Sequence, residues 1–269
     1  MADKDAPETE AVRAGQRLAS SAVAQVGRGR AAVMSGLPIF AGRPYICGPA
    51  VTCACAPEDN LALHVALFLA PPGAVIVCDG GGTCHSGLLG ELMVTDAAAR
   101  GLAGIVVSGT VRDRDDLDRI GFPVLAAGTA PAQAAKLTAV SVGQPVVAGG
   151  VLVMPGDQII ADRDGAAVVP AAEWDAVRVE AAGLAAREAV VRHRLAAGER
   201  LADIIGLDLT GYSPLVGDQP GHPVTGAPRQ APGASGRPAG RTGMNPLGRE
   251  GQMMRLAAEC GGGEMVNDG

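Results

Sequence analysis

The stretch that decides the fold is Ala74–Asp113, AVIVCDGGGTCHSGLLGELMVTDAAARGLAGIVVSGTVRD. It opens with AVIVCD (Ala74–Asp79), a short β-branched run bounded by PPG and GGG, which reads as a buried strand. Gly87 to Ala99 reads as a helix, and GIVVSG (Gly104–Gly109) as a second buried strand. Strand, helix, strand at this spacing is the pattern of a parallel crossover. Working outward, apolar positions at helical spacing predict helices over Glu8–Val26 and Asn60–Ala70. After Phe122 the pattern changes to short strands, FPVLAAG, VSVGQPVV, GGVLVMPGD, QIIAD and AAVVP, separated by Gly, Pro or Asp turns. A long Ala- and Arg-rich helix over Ala171–Ala197 follows. The expectation is one α/β domain with mixed sheets in its centre and helices outside.

The composition narrows the function classes. The chain has 269 residues, 48% apolar and 19% charged, which is the balance of a globular protein. Aromatics are only 2%, so stacking platforms for nucleic acid are not expected. With 28 acidic against 22 basic residues, a net −6, nothing draws the chain to a phosphate backbone. No apolar run reaches the roughly 20 residues that span a bilayer. The acidic MADKDAPETE at the start does not resemble a secretory signal, so the expectation is a cytoplasmic protein with neither nucleic acid nor membrane as partner. Gly and Pro dominate from Ser213 onward, which predicts a flexible leader over 1–10, a domain over 11–212 and a disordered tail over 213–269. Cys53 and Cys55, two apart in AVTCACA, fall on one face of a strand. Without a second pair for zinc, the six cysteines read as core thiols.

Two segments about twenty residues apart could make a site. DGGGTCHSGLLGELM is a glycine-rich loop between strand and helix, and its backbone N–H groups suit an anion. It is neither a P-loop nor a dinucleotide fingerprint. In SGTVRDRDDLDRIGFPV, Arg112 and Asp113 fall just past a strand end, where α/β sheets present their sites. An Arg there can hold a 2-oxo acid and an Asp a hard divalent cation. The later charges, Arg114 to Arg119, read as a solvated run.

Glu91, twenty intervening residues and then Arg112-Asp113 resemble the acidic-x20-Arg-Asp signature of the 4-hydroxy-4-methyl-2-oxoglutarate/4-carboxy-4-hydroxy-2-oxoadipate aldolases. These belong to the superfamily of the ribonuclease E activity regulator A. The resemblance runs from about Gln16 to Gly198, through GPAVTCACAPEDN, LLGELM, GIVVSGTVRD and GGVLVMPGDQIIADRDGAAVVP. It implies a β/β/α sandwich resembling the swivelling phosphohistidine domain, assembled as homotrimers or hexamers. It further implies that Arg112 binds the pyruvyl carboxylate of a small 2-oxo acid, and that Asp113 holds Mg²⁺ (or Mn²⁺ or another divalent cation). The backbone of Gly90, Glu91, Leu92 and Met93 would complete the cradle. A neighbouring subunit's C-terminal helix brings a further carboxylate in this family, for which Glu188, with Glu199 behind it, is the candidate here.

The expected chemistry is cleavage of a 4-hydroxy-2-oxo acid to the enolate of pyruvate, stabilised by the cation and Arg112. A water positioned by Glu91 would take the hydroxyl proton. Oxaloacetate reaches the same enolate by losing CO₂, so decarboxylase activity is expected as well. Lys136, alone in the domain, has no visible partner for a Schiff-base route. His85 and Ser86 in the loop read as solvated, His64 as a satisfied core histidine, Asp59 and Asn60 as a helix cap. Asp162 and Asp164 read as a turn. The alternative class is a non-catalytic protein-binding regulator of ribonuclease E. The resemblance makes Glu91 the discriminator, since the regulator lacks the acidic member of the signature.

Overall fold

A computed structural model describes residues 17–209, in two compact units that divide between Glu199 and Arg200. The leader, the first half of the first expected helix, Cys260 and the tail lie outside the described residues. The first unit runs α1 (Ser20–Val26), β1 (Ala32–Met34), β2 (Ile39–Ala41), β3 (Ile46–Cys55), α2 (Leu61–Leu69), β4 (Val75–Asp79), β5 (Ser86–Gly87), α3 (Glu91–Ala99) and β6 (Gly104–Val111). It continues through α4 (Arg114–Ile120), β7 (Val124–Thr129), β8 (Ala132–Gln133), β9 (Ala139–Val142), β10 (Val146–Ala148), β11 (Val151–Val153), β12 (Gln158–Asp162), β13 (Gly165–Val169) and α5 (Trp174–Ala196). The described part of the second unit holds one short helix, α6 (Leu201–Ile205), closed by a left-handed Gly206.

The fold is mixed α/β. Its main sheet has the order β1-β13-β12-β3-β4-β6-β7-β2, and β9 also pairs with β3. The expected crossover is present: β3, β4, β6 and β7 are parallel neighbours, joined by α2, α3 and α4. Strands buried on both faces need apolar residues throughout, and β4 and β6 supply them. Ile76, Cys78, Ile105 and Val107 face the helices, packing with Leu63, Leu67, Val94 and Leu117. Val75, Val77 and Val106 face the other way, onto Ile159, Val168 and Val153. A third cluster fastens α1 and α5 over β12 and β13, through Val23, Ile160, Val169, Val177 and Ala181. Asp162 does more than turn the β12–β13 hairpin, since its carboxylate accepts the Ser20 N–H at 2.8 Å and the Ser20 hydroxyl at 2.6 Å at the start of α1.

Cys53, Cys55 and Cys78 are core thiols as expected, while Cys47 and Cys84 are half-buried. Cys55 and Cys78 lie 3.6 Å apart. The hydrogen bond with Cys78 and burial push the Cys55 thiol up, and Cys53 does the same to Cys78. The charges from Arg114 to Arg119 are solvated as expected, and they are carried on helix α4, with Leu117 as its buried anchor and a left-handed Gly121 closing it. Its charges pair along the helix, Arg114 with Asp118 at 3.2 Å and Arg119 with Asp116. Among the described residues no helix is long and apolar enough to cross a membrane.

Candidate active site

The parallel strands end where the site begins. β6 runs two residues beyond the expected Gly109, and its far end holds the loop after β4 in place. The Thr110 hydroxyl donates to the Ser86 carbonyl at 2.7 Å, and Leu88 N–H to the Thr110 carbonyl at 2.8 Å. Arg112 N–H donates to the Leu89 carbonyl at 2.8 Å. Helix α3 therefore starts at Glu91, later than the expected Gly87, because Ser86–Leu89 is spent as extended chain along β6 and β8.

Two glycines let the charged pair approach this chain. A Cβ on Gly87 would stand 2.6 Å from the Arg112 Cβ, and one on Gly90 would stand 2.5 Å from the Asp113 Oδ2. A side chain at Gly87 would collide with the Arg112 stem and backbone, and one at Gly90 would displace the Asp113 carboxylate. Asp113 sits between β6 and α4 with φ 58° and ψ 40°, the left-handed region that non-glycine residues rarely occupy. That turn aims its carboxylate back at the start of α3. Glu91 N–H donates to Asp113 Oδ2 at 3.1 Å, and Arg112 Nε lies 3.4 Å from the same oxygen. Both side chains stay about one third exposed, 33% for Arg112 and 34% for Asp113. Glu91, Leu92 and Met93 form the first turn of α3, where N–H groups have no intrahelical acceptor. Asp113 takes the first, and a helix start of this kind favours an anion.

These residues line one pocket of about 130 Å³, together with Asn60, His64, Gln133 and Lys136. The volume is far below the ~300–1,000 Å³ of clefts that hold drug-sized ligands, and it suits a molecule of few heavy atoms. Glu91, Arg112, Asp113 and the Gly90–Met93 turn are thus brought together. Glu188 is not among the residues lining the pocket of one protomer. It lies on the exposed second half of α5, 3.5 Å from Arg192, and Glu199 is bound by Arg194.

Sequence reasoning missed several groups. Lys136, set aside as partnerless, lines the pocket, and its charge acts on both His64 and Asp59. His64 is not a satisfied core histidine: it is half-buried on α2, and its buried Nε2 has no hydrogen-bond partner among the described residues. Burial, then the Lys136 charge, lower its pKa below the ordinary histidine value. The cap of α2 also differs from expectation. Asp59 Oδ1 accepts Leu61 N–H at 2.9 Å, whereas the Asn60 amide turns inward to the Leu88 carbonyl at 2.7 Å. Finally, the glycine-rich loop is not an empty anion nest. Glu58 Oε1 already accepts the N–H groups of Cys84, at 3.4 Å, and of His85, at 3.3 Å.

Among the described residues no group of three or more His, Cys, Asp or Glu side chains forms a ready-made metal cage. Mg²⁺ does not need one, since it commonly binds through one or two carboxylates, with waters and substrate oxygens completing the shell. A half-exposed Asp113 over glycine, with Glu91 adjacent, fits that mode.

Comparison with known proteins places the chain. The family model described as RraA-like (Aldolase/RraA) matches residues 11–168. The chain belongs to the RraA-like family. Two curated relatives carry the name "Putative 4-hydroxy-4-methyl-2-oxoglutarate aldolase". The one from Halalkalibacterium halodurans is 38% identical over 46% of this chain, which spans 60% of that protein's length. The one from Ectopseudomonas mendocina is 38% identical over 50% of this chain and 85% of its own length. Among solved structures, RraAS2 of Streptomyces coelicolor, described as an unusual member of the RNase ES inhibitor RraA family, superposes with a TM-score of 0.59. It is 33% identical and covers 69% of this RraA-like chain and 97% of its own.

Proposed function

We propose that this RraA-like chain is a divalent-cation-dependent lyase that cleaves a short 4-hydroxy-2-oxo dicarboxylate to pyruvate, with oxaloacetate decarboxylation as a second activity. The observation that carries the reading is the Arg112–Asp113 pair, pressed against Gly87 and Gly90 with its charged ends open to a pocket of about 130 Å³. Arg112 binds the 2-oxo acid's carboxylate through its planar fork, assisted by the start of α3. Lys136 supplies a second cation on the same pocket, which favours a substrate with a second carboxylate. Asp113, with Glu91 adjacent, would hold Mg²⁺ or Mn²⁺, which when bound supplies Lewis acidity to the 2-oxo group. Glu91 orients the water that removes the 4-hydroxyl proton, and Arg112 stabilises negative charge as the C3–C4 bond breaks. Decarboxylation of oxaloacetate needs no such proton removal.

The same reading takes the protein as a cytoplasmic homotrimer or hexamer, with a β/β/α sandwich like the swivelling phosphohistidine domain in each subunit. Support for assembly comes from α5, whose second half exposes Val190 (61%) and Leu195, while its buried residues, Val177 and Ala181–Gly183, lie in the first half. In such an assembly Glu188 is the carboxylate that a neighbouring subunit can offer.

The test is pyruvate release by the purified protein from 4-hydroxy-4-methyl-2-oxoglutarate and from oxaloacetate, after chelation and again with Mg²⁺ restored. Release from both substrates, lost on chelation and regained with Mg²⁺, is the expected result. A second reading draws on the likeness to the RNase ES inhibitor family: a regulator that binds a ribonuclease of that type. Absence of pyruvate release, with inhibition of RNA cleavage by ribonuclease E, would select it.

A further inference from the structure

Glu58 belongs to no part of the chemistry above, yet it bonds to both chain segments that run into the walls of the pocket. Its backbone stands on one side: the Glu58 carbonyl accepts Ala135 N–H at 2.8 Å, next to Lys136. Its side chain stands on the other, where Oε1 takes the N–H groups of Cys84 and His85 just ahead of β5. Its own N–H donates to the Thr83 hydroxyl at 2.9 Å, adding a third tie to the same loop. The two walls then meet directly, Ser86 opposite Ala132 and Gly87 opposite Gln133, before the chain reaches Gly90 and Asp113.

Glu58 holds this position at φ 57°, one of two non-glycine residues with left-handed backbone among the described residues. Asp113 is the other. Glycine would adopt that backbone without strain, so local geometry does not favour a glutamate here. Its neighbours have other duties: Asp59 caps α2 and binds Leu137 and Thr138 N–H, and Asn60 is buried against Leu88. The Glu58 carboxylate takes the N–H groups of both Cys84 and His85.

We propose that Glu58 is a positioning residue that fixes the separation of the pocket walls, Thr83–Gly90 on one side and Gln133–Lys136 on the other. It acts through the shape of the pocket and not on reacting atoms. The role rests on the lyase reading only for its kinetic consequence, because the tie between the walls is a property of the free protein.

Hydrogen–deuterium exchange on the full chain separates the two claims, using wild type, Glu58→Gln and Glu58→Gly. Glu58→Gln keeps size and backbone while losing the charge on the acceptor. Glu58→Gly relieves the left-handed strain, which offsets part of the stability lost with the carboxylate. Both variants are expected to lose roughly tenfold or more of amide protection in Thr83–Gly87 and at Ala135. KM for 4-hydroxy-4-methyl-2-oxoglutarate is expected to rise about three- to tenfold, with kcat within about twofold. Unchanged exchange in both variants overturns the proposal. So does raised exchange accompanied by an unchanged KM in an active enzyme. If wild type releases no pyruvate, the lyase reading fails separately, and exchange at the two walls still decides whether Glu58 ties them.

Discussion

Glu58 and Asp113 invite comparison, as two acidic residues held in the same left-handed backbone on two sides of one pocket. Glu58 turns its carboxylate into the protein, where Cys84 and His85 N–H groups occupy it. Asp113 keeps a third of its side chain exposed and receives only Glu91 N–H and the edge of Arg112. Each carboxylate takes two donors on one of its oxygens, so lone-pair count does not separate them. Asp113 lines the pocket beside Arg112, whereas Glu58 faces the loop ahead of β5. Backbone strain marks both positions as important. What the carboxylate faces, the pocket or the loop, separates a group placed for chemistry from one placed for shape.

The comparison breaks most visibly at Asp113. Asparagine tolerates left-handed backbone, so Asp113→Asn should fold and melt close to wild type. Its pyruvate release is nonetheless expected to fall by about 10³ or more on both substrates, because an amide replaces the carboxylate offered to a hard cation. A wild-type rate at saturating Mg²⁺ would remove Asp113 from the site.

Glu91→Gln sharpens the picture with a smaller and selective effect. Loss of the base function should slow aldol cleavage by about 10². Oxaloacetate decarboxylation needs no hydroxyl proton removed and should stay within roughly tenfold of wild type. Equal losses on both substrates, in a coupled pyruvate assay, would assign Glu91 to the cation or the fold instead.

The smallest effect concerns Glu58 and acid. Burial pushes its carboxyl up, but the neighbouring Ser86 and the N–H groups of His85 and Cys84 outweigh burial and hold it below the usual carboxylate range. A lowered folded-state value means the stabilisation is complete above the unfolded value, near the ordinary 4.5, and is lost as pH falls through the folded one. Melting curves from pH 7 to pH 3 should therefore steepen in wild type relative to Glu58→Gln. Parallel curves would mean that the loop does not hold the charged form. The Asp59 carboxyl, also held low by Leu61, Leu137 and Thr138 N–H groups, adds the same slope to both proteins and cancels in the difference.

The parallel core was legible because β4 and β6 are covered on both faces and appear as unbroken apolar runs. Helix α4 was not, because RDDLDRI buries a single leucine and shows no apolar stripe. Glu91, Arg112 and Asp113 could be found because they flank one strand–helix–strand unit. Asn60, His64, Gln133 and Lys136 reach the same pocket from α2, β8 and the chain after β8, and nothing in local spacing announces that meeting. Glu58 was invisible for a simpler reason: a charged residue in a loop looks solvated until its acceptor is seen to be used. The buried Nε2 of His64 could not be foreseen either, since LALHVALFLA predicts burial but not the lack of a partner.

The edge of the main sheet also has a bearing on how the chain folds. β1 lies against β13, pairing Ala32 with Val168, so most of the first unit's sheet is enclosed in one long loop, with α1 and α5 outside it. Closing such a loop costs entropy that rises only slowly with its length, yet contacts between distant residues retard folding strongly. The pocket's walls, by contrast, lie between Glu58 and Lys136 and are joined by successive crossovers of modest span. Loop-closure physics therefore favours gathering the catalytic groups from short-range pieces early. The seal between β1 and β13 then comes late, once the rest of the sheet has brought its two distant ends within reach.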